Sequence, residues 1–201
     1  MFKLLRPAFV LLVSLTVITG LIYPLAMTGL AGALFPKQAQ GSLIVRDGKV
    51  IGSELIGQSF TSDRYFRGRL SATTGADPSD PSKTVPQPYN AANSMGSNLG
   101  PTNKALIDRV KGDVEKLRAE NPSAPVPLDL VTTTASGLDP DITPAAAYFQ
   151  VPRVAKARNL PETDVKQLVD SHIESRLFGL IGEPHINVLA LNLDLDRVAA
   201  R

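Results

Sequence analysis

Apolar residues crowd one end of this chain and are scattered with short periodicities over the rest. From Pro7 to Pro36 thirty consecutive residues carry no charged side chain, with apolar clusters at Phe9–Val13, Val17–Ile18, Leu21–Ile22 and Leu30–Leu34. At about 1.5 Å rise per residue, Pro7 to Leu34 makes a helix of roughly 40 Å, longer than the ~30 Å hydrocarbon core of a bilayer. The pattern predicts a transmembrane helix over 7–35, a short flank at 1–6 and one soluble domain over 36–201.

Within that domain, Ser42–Val45 and Lys49–Leu55 are β-rich runs separated by Arg46-Asp47-Gly48, where Asp-Gly is a hairpin signal. Thr73 to Pro88 holds Pro78, Pro81, Pro86 and Pro88 and reads as a long irregular loop. Tyr89 to Asn103 is dense in short polar side chains that bond their own backbone. Thr102 or Asn103 caps a helix running to about Glu120, with Leu106, Ile107, Val110, Val114 and Leu117 on one face. Leu128–Thr134 reads as a strand and Ser136–Pro140 as a turn. Thr143 caps a helix that starts at Pro144, runs to Arg158 and stops at Asn159-Leu160-Pro161. Thr163 and Asp164 open another, with Val165, Leu168, Val169 and Ile173 inward, and Ile186–Leu195 reads as a strand. Strands and helices mixed without a βαβ rhythm predict an α+β fold: one N-terminal transmembrane helix followed by a mixed α/β soluble domain.

All 19 acidic residues lie beyond the apolar run, matched by 19 of the 21 basic ones, so the domain is near neutral and no global field points to nucleic acid. Lys3 and Arg6 precede the run while Lys37 alone follows closely, which places the N-terminus in the cytoplasm and the domain outside. The absence of cysteine does not discriminate compartments. Ala31-Gly32-Ala33 has the look of a signal cleavage site, but the apolar run exceeds the ~7–15 residues of a signal core, which favours a retained anchor. Thr16, Gly20, Pro24, Thr28 and Gly32 recur every four residues, a stripe suited to close helix packing in lipid; a lone anchor in which small residues are merely frequent is the alternative. Pro24 should kink the helix.

Candidate chemistry is sparse. His172 and His185 have no cysteine and no recognisable ligand spacing, so structural histidines are expected over a zinc site. Asp194 and Asp196, on one side of the expected strand, either hold a cation or close the strand as exposed carboxylates. Arg64, Arg67 and Arg69 bind an anion or pair with neighbouring carboxylates. No nucleophile elbow, phosphate-binding loop or dinucleotide fingerprint occurs, and Ser136 beside Asp139 lacks a positioned base. From the residues alone, an exported membrane-anchored enzyme using Ser136 or His172, or a periplasmic binding module unrelated to transport, stays open.

Several motifs then resemble one family. Tyr89-Asn90-Ala91-Ala92-Asn93-Ser94, Ser97–Asn103, Ser136–Pro140, Pro144–Ala146, Gln150–Arg158, Gly182–Pro184 and Asn187 through Asp196 are similar to the C subunit of the Kdp-type potassium-transporting ATPase, over nearly the whole chain. Departures are Met95 for a usual glycine, Leu70 for a proline, Asp141 for a histidine and Asn159 for a helix-end glycine. The resemblance implies a non-catalytic accessory subunit of an ATP-driven potassium importer in a bacterial inner membrane. Its implied partners are a channel-like A subunit, a P-type ATPase B subunit and a small F subunit. The family is described as a catalytic chaperone that raises the ATP affinity of the B subunit, with no tightly bound cofactor. A domain on the outer face cannot touch cytoplasmic ATP, so the ATP effect is then an indirect coupling. Only a cytoplasmic domain would make Gln58, ending Leu55-Ile56-Gly57-Gln58, a nucleotide contact. The expected partner surface comprises Thr16, Gly20, Pro24, Thr28 and Gly32 in the anchor, and Tyr89, Asn90, Asn93, Ser94, Asn98, Asn103, Ser136 and Asp139 in the domain.

Overall fold

The structure, a computed structural model, describes residues 2–199. The chain divides into two compact units at Ile51/Gly52.

In the first unit, helices α1 (Phe2–Val17) and α2 (Tyr23–Leu34) run into one another through a π turn, Ile18–Ile22. The continuous span Lys3–Leu34 has 32 residues; its most apolar 18-residue stretch has a mean hydropathy of 2.2 and is not buried against the protein. Where the sequence predicts a kink at Pro24, the backbone has this π turn. Pro24 has no N–H to give the carbonyl four residues back, and the Tyr23 N–H reaches past its usual acceptor to the Ile18 carbonyl. Thr19 Oγ1 donates back to Leu15 O at 2.7 Å, so the hydroxyl is satisfied without water. A four-residue turn, α3 (Pro36–Ala39), leads to a hairpin of β1 (Leu43–Arg46) and β2 (Lys49–Ser53). Its turn residues Asp47 and Gly48 sit at φ of 51° and 75°, the left-handed pair that a two-residue hairpin needs.

The second unit is α+β. Its core is built on α5 (Pro144–Arg158), α6 (Glu162–Ser171) and α7 (Val188–Ala199). Ala146, Ala147, Phe149, Val151, Val154 and Ala155 of α5 meet Val165 and Val169 of α6 and Val188, Leu191 and Leu195 of α7, with Phe66 fully enclosed among them. The α5 cap is the expected one: Thr143 Oγ1 accepts from Ala146 N at 3.2 Å, and Asn159 ends the helix at φ 56°. Helix α4 (Lys104–Glu120) is capped by Asn103, whose side chain accepts from Ala105 N at 2.8 Å. No α4 side chain is fully buried; Leu117 packs against the core edge and Ile107 is exposed.

Three expectations are corrected. Thr73–Pro88 is not an irregular loop: β3 (Thr74–Ala76) and β4 (Thr84–Pro86) pair antiparallel, Gly75 opposite Val85. Leu128–Thr134 is not a strand but a 3₁₀ turn, Leu128–Leu130, followed by a single parallel bridge between Thr133 and Leu70. Ile186–Leu195 is a strand only at its first two residues. There β6 (Ile186–Asn187) pairs with β5 (Asp141–Ile142), and α7 begins at once, because Asn187 Oδ1 accepts from Ala190 N at 3.0 Å and starts the helix. Asp194 and Asp196 therefore sit on a helix. Asp194 meets His172 Nε2 at 3.1 Å and Arg197 at 2.6 Å, while Asp196 accepts from Arg158 at 2.8 Å and from Tyr65 at 3.2 Å.

Candidate partner-contact site

The polar segment that the sequence singles out is folded around a ladder of hydroxyls. Ser71 Oγ donates to Gly137 O at 2.8 Å and accepts from Tyr89 N at 3.0 Å. Thr73 Oγ1 donates to Gln87 O at 2.6 Å and accepts from Asn90 N at 3.1 Å. These bonds clamp the β3–β4 hairpin, the start of the loop and the Ser136–Pro140 turn into one body. Asn90 and Asn93 both donate through Nδ2 to Thr74 O, at 2.8 and 2.9 Å, and Ser94 Oγ donates to Ser136 O at 2.9 Å. Ser136 Oγ accepts from Leu138 N at 3.1 Å, the bond of a turn rather than of a nucleophile held by a base.

Tyr89 is the pivot of this body. Its hydroxyl donates to Arg69 O at 2.6 Å, and its ring lies against Gly57 and Gly68. A Cβ at Gly57 would overlap the ring and come within 2.7 Å of Asp139 O. Burial, reinforced by the Asp139 carboxylate and opposed by Arg69, pushes the Tyr89 phenol up to about 12. Arg69 in turn donates to Asp139 Oδ2 at 3.1 Å. A shallow open groove beside the pair is lined by Leu55, Ile56, Leu138 and Pro140.

Of the expected interface residues, the structure thus brings together Tyr89, Asn90, Asn93, Ser94, Ser136 and Asp139, and uses the hydrogen-bonding groups of all six within the unit. Asn103 stands apart as the α4 cap. Asn98, at φ 51°, is a left-handed turn residue at the exposed apex of the loop. Met95 and Leu99, each 37% exposed, lie within the Tyr89–Asn103 loop expected as contact surface but were not singled out among its residues. The bulk of a thioether and an isobutyl group in an otherwise polar loop is the signal that would have found them.

Gln58 is half-buried, its carboxamide lying over Gly52. The Gly57 N–H is already donated to Leu138 O at 2.8 Å, and the space above Gly57 is filled by the Tyr89 ring. The Gly57 amide and the space over it are therefore not open to a phosphate. Among the described residues no three His, Cys, Asp or Glu side chains converge as metal ligands. Of the three arginines considered from the sequence, Arg67 pairs with Glu120 at 3.1 Å and Arg69 with Asp139 at 3.1 Å, and Arg153 joins the first pair through Glu120 at 2.7 Å. Burial and the neighbouring Arg67 press the Arg153 guanidinium below its ordinary value. In the first unit, Gly20 and Gly32 face open space. In an α-helix each four-residue step overshoots a full turn by about 40°. The wider π turn between Thr16 and Pro24 undershoots instead, and so brings the Thr16–Gly32 stripe back towards one face.

The family model for the c chain of K+-transporting ATPases, KdpC, matches residues 5–197. The chain belongs to the KdpC family. It is 74% identical, over 98% of both chains, to the potassium-transporting ATPase KdpC subunit of Rhodopseudomonas palustris strain BisB18. Identity is 71% to that of Bradyrhizobium diazoefficiens and 69% to that of Methylobacterium nodulans, each over the full length of both chains. As a KdpC chain it is a membrane-associated subunit of a potassium-transporting ATPase. The motifs that carry the KdpC resemblance are accounted for largely by packing. Gln150 and Asn192 hold buried backbone, Arg153 and Arg158 tie the Asp63–Tyr65 carbonyls to the helices, and the Asn-rich segment bonds itself.

Proposed function

We propose that this subunit is a non-catalytic accessory part of an ATP-driven potassium importer, needed for assembly and activity, anchored by one helix with its N-terminus in the cytoplasm and its domain outside. The observation that carries the reading is the placement of charge around the Lys3–Leu34 span. Lys3 and Arg6 lie at one end, and the other leads into a near-neutral folded unit. The stripe from Thr16 through Gly20, Pro24 and Thr28 to Gly32 packs against a partner's membrane helices. In the domain, the clamp of Ser71, Thr73 and Tyr89 presents the Met95–Leu99 apex as a rigid surface to the channel-like A subunit. Any effect on ATP affinity in the B subunit then passes through the assembled state of the pump rather than through bound nucleotide. Cells lacking the chain should fail to grow at micromolar potassium, and the wild-type gene should restore growth. Asn98→Lys, at the exposed apex, should restore far less although the variant chain accumulates in the membrane normally. Full growth without the chain would overturn the accessory role.

A further inference from the structure

Residues Glu174 to His185 form a projecting hairpin that plays no part in the surface described above. Glu174 and His185 exchange backbone hydrogen bonds at 2.9 and 3.1 Å, and Leu177 and Ile181 exchange a second pair at 2.9 and 3.0 Å. Arg176 and Glu183 close the stem with an ion pair at 2.6 Å. The tip is apolar and bare: Leu177 is 60% exposed, Phe178 85%, Leu180 82% and Ile181 64%. Burying four such side chains is favourable by several kcal/mol in aggregate, so their joint exposure at one protruding point calls for a cover.

We propose that this tip is a preformed knob that docks into an apolar pocket on another subunit of the same potassium-transporting complex. The proposal rests on the accessory-subunit reading above. Its occupant is a protein rather than lipid for two reasons. The first is charge: the carboxylates Glu174 and Glu183 stand against Arg176, which is paired with Glu183, and His185, which faces Glu174 at 3.7 Å and Asp141 at 4.0 Å. The hairpin therefore offers no free cation to an anionic bilayer. The second is rigidity. The tip is fixed by paired backbone, with Phe178 held at φ 54° and Gly179 at 74°. A left-handed phenylalanine is costly, and a fluid bilayer rewards apolar area without requiring one fixed shape. A shaped pocket does require it, and pairs a central aromatic anchor with aliphatic flanks inside a charged rim, the order in which Phe178, Leu180 and the Arg176–Glu183 pair occur.

The natural chain has no cysteine, so Leu180→Cys in the full-length protein gives a single site for a spin label. The labelled chain is placed in lipid vesicles alone, and then assembled with the other subunits of the pump. Collisions with oxygen, which concentrates in lipid, and with a water-soluble nickel chelate are measured in both. The expected result is high nickel access for the chain alone, falling at least five-fold on assembly with no gain in oxygen access. Phe178→Ser should weaken association at least ten-fold while leaving the thermal midpoint of the isolated chain unchanged. High oxygen and low nickel access in the chain alone would assign the tip to lipid and overturn the proposal. Unchanged nickel access in a complex that has assembled would overturn it too, whereas failure of the unlabelled wild-type chain to copurify with the other subunits would overturn the accessory-subunit reading itself.

Discussion

The side-chain amide of Asn192 brackets the backbone of Phe66, accepting from its N–H at 2.8 Å and donating to its carbonyl at 2.9 Å. Gln150 does the same for the next residue, accepting from Arg67 N at 2.8 Å and donating to Arg67 O at 3.1 Å. Both amides are almost wholly buried, at 1% and 2% exposure. The stretch through Phe66 has no strand partner, and two helix side chains supply the bonds a neighbouring strand would have given.

Asn192→Leu keeps the volume and removes both bonds, leaving a buried N–H and a buried carbonyl unpaired. The expected loss is roughly 2–4 kcal/mol. It should be read as a lower midpoint in thermal unfolding of the detergent-solubilised chain followed by circular dichroism. A midpoint unchanged within a degree would show that the bracket is not structural.

Gly57→Ala should be destabilising by about 1–3 kcal/mol or more, because the new methyl must displace the Tyr89 ring or the Asp139 carbonyl. Gly100→Ala, with nothing near the added methyl, is the matched control and should leave the midpoint where it is.

Tyr89 has its phenol pushed up to about 12, so its protonated form is favoured by folding. The stability this provides is complete below pH 10 and is lost as pH rises from 10 towards 12. Spectrophotometric titration should therefore show one of the chain's four tyrosines ionising last, together with unfolding, and Tyr89→Phe should abolish that phase. Tyr148, raised by its bond to Asp170, ionises late as well and should persist in the variant.

Asp141 behaves in the opposite way to most paired carboxylates. Burial raises its pKa, His185 opposes the shift, and the carboxylates of Asp139 and Glu174 add to it. The native state thus holds this proton more tightly than the unfolded chain. The contribution is full below the unfolded value of 3.8 and is lost as pH rises through the higher folded value. At neutral pH the ionised carboxylate opposes folding, and Asp141→Asn should raise the midpoint at pH 7 more than at pH 3.5.

What could be read from the sequence was local. Asp47-Gly48, Asn103, Thr143 and Asn159 each fix a turn or cap with their own side chain or φ, and each does so in the structure. The strand expected over Ile186–Leu195 failed because the segment is apolar at both periods. Val188, Leu191, Asn192 and Leu195 follow the i, i+3, i+4, i+7 spacing of a helix face, and Asn187 was its cap. The β3–β4 hairpin was hidden because its strands lack apolar alternation and are held instead by Thr73, Asn90 and Asn93. The brackets by Gln150 and Asn192 join positions 83 and 126 residues apart, and no local pattern encodes such a pairing. At the candidate site, the sequence located the Asn-rich segment but not its division of labour, in which Tyr89, Asn90, Asn93 and Ser94 bond within the unit while Asn98 and Leu99 are left exposed.

The side of the membrane on which the domain works decides between a surface facing the ion pathway and one facing nucleotide. Ser79 is exposed in the turn of the β3–β4 hairpin, in a chain without cysteine. Ser79→Cys in the assembled complex, treated in intact cells with a membrane-impermeant thiol reagent, should be labelled before lysis as fully as after it. Labelling only after lysis would put the domain in the cytoplasm and contradict the account.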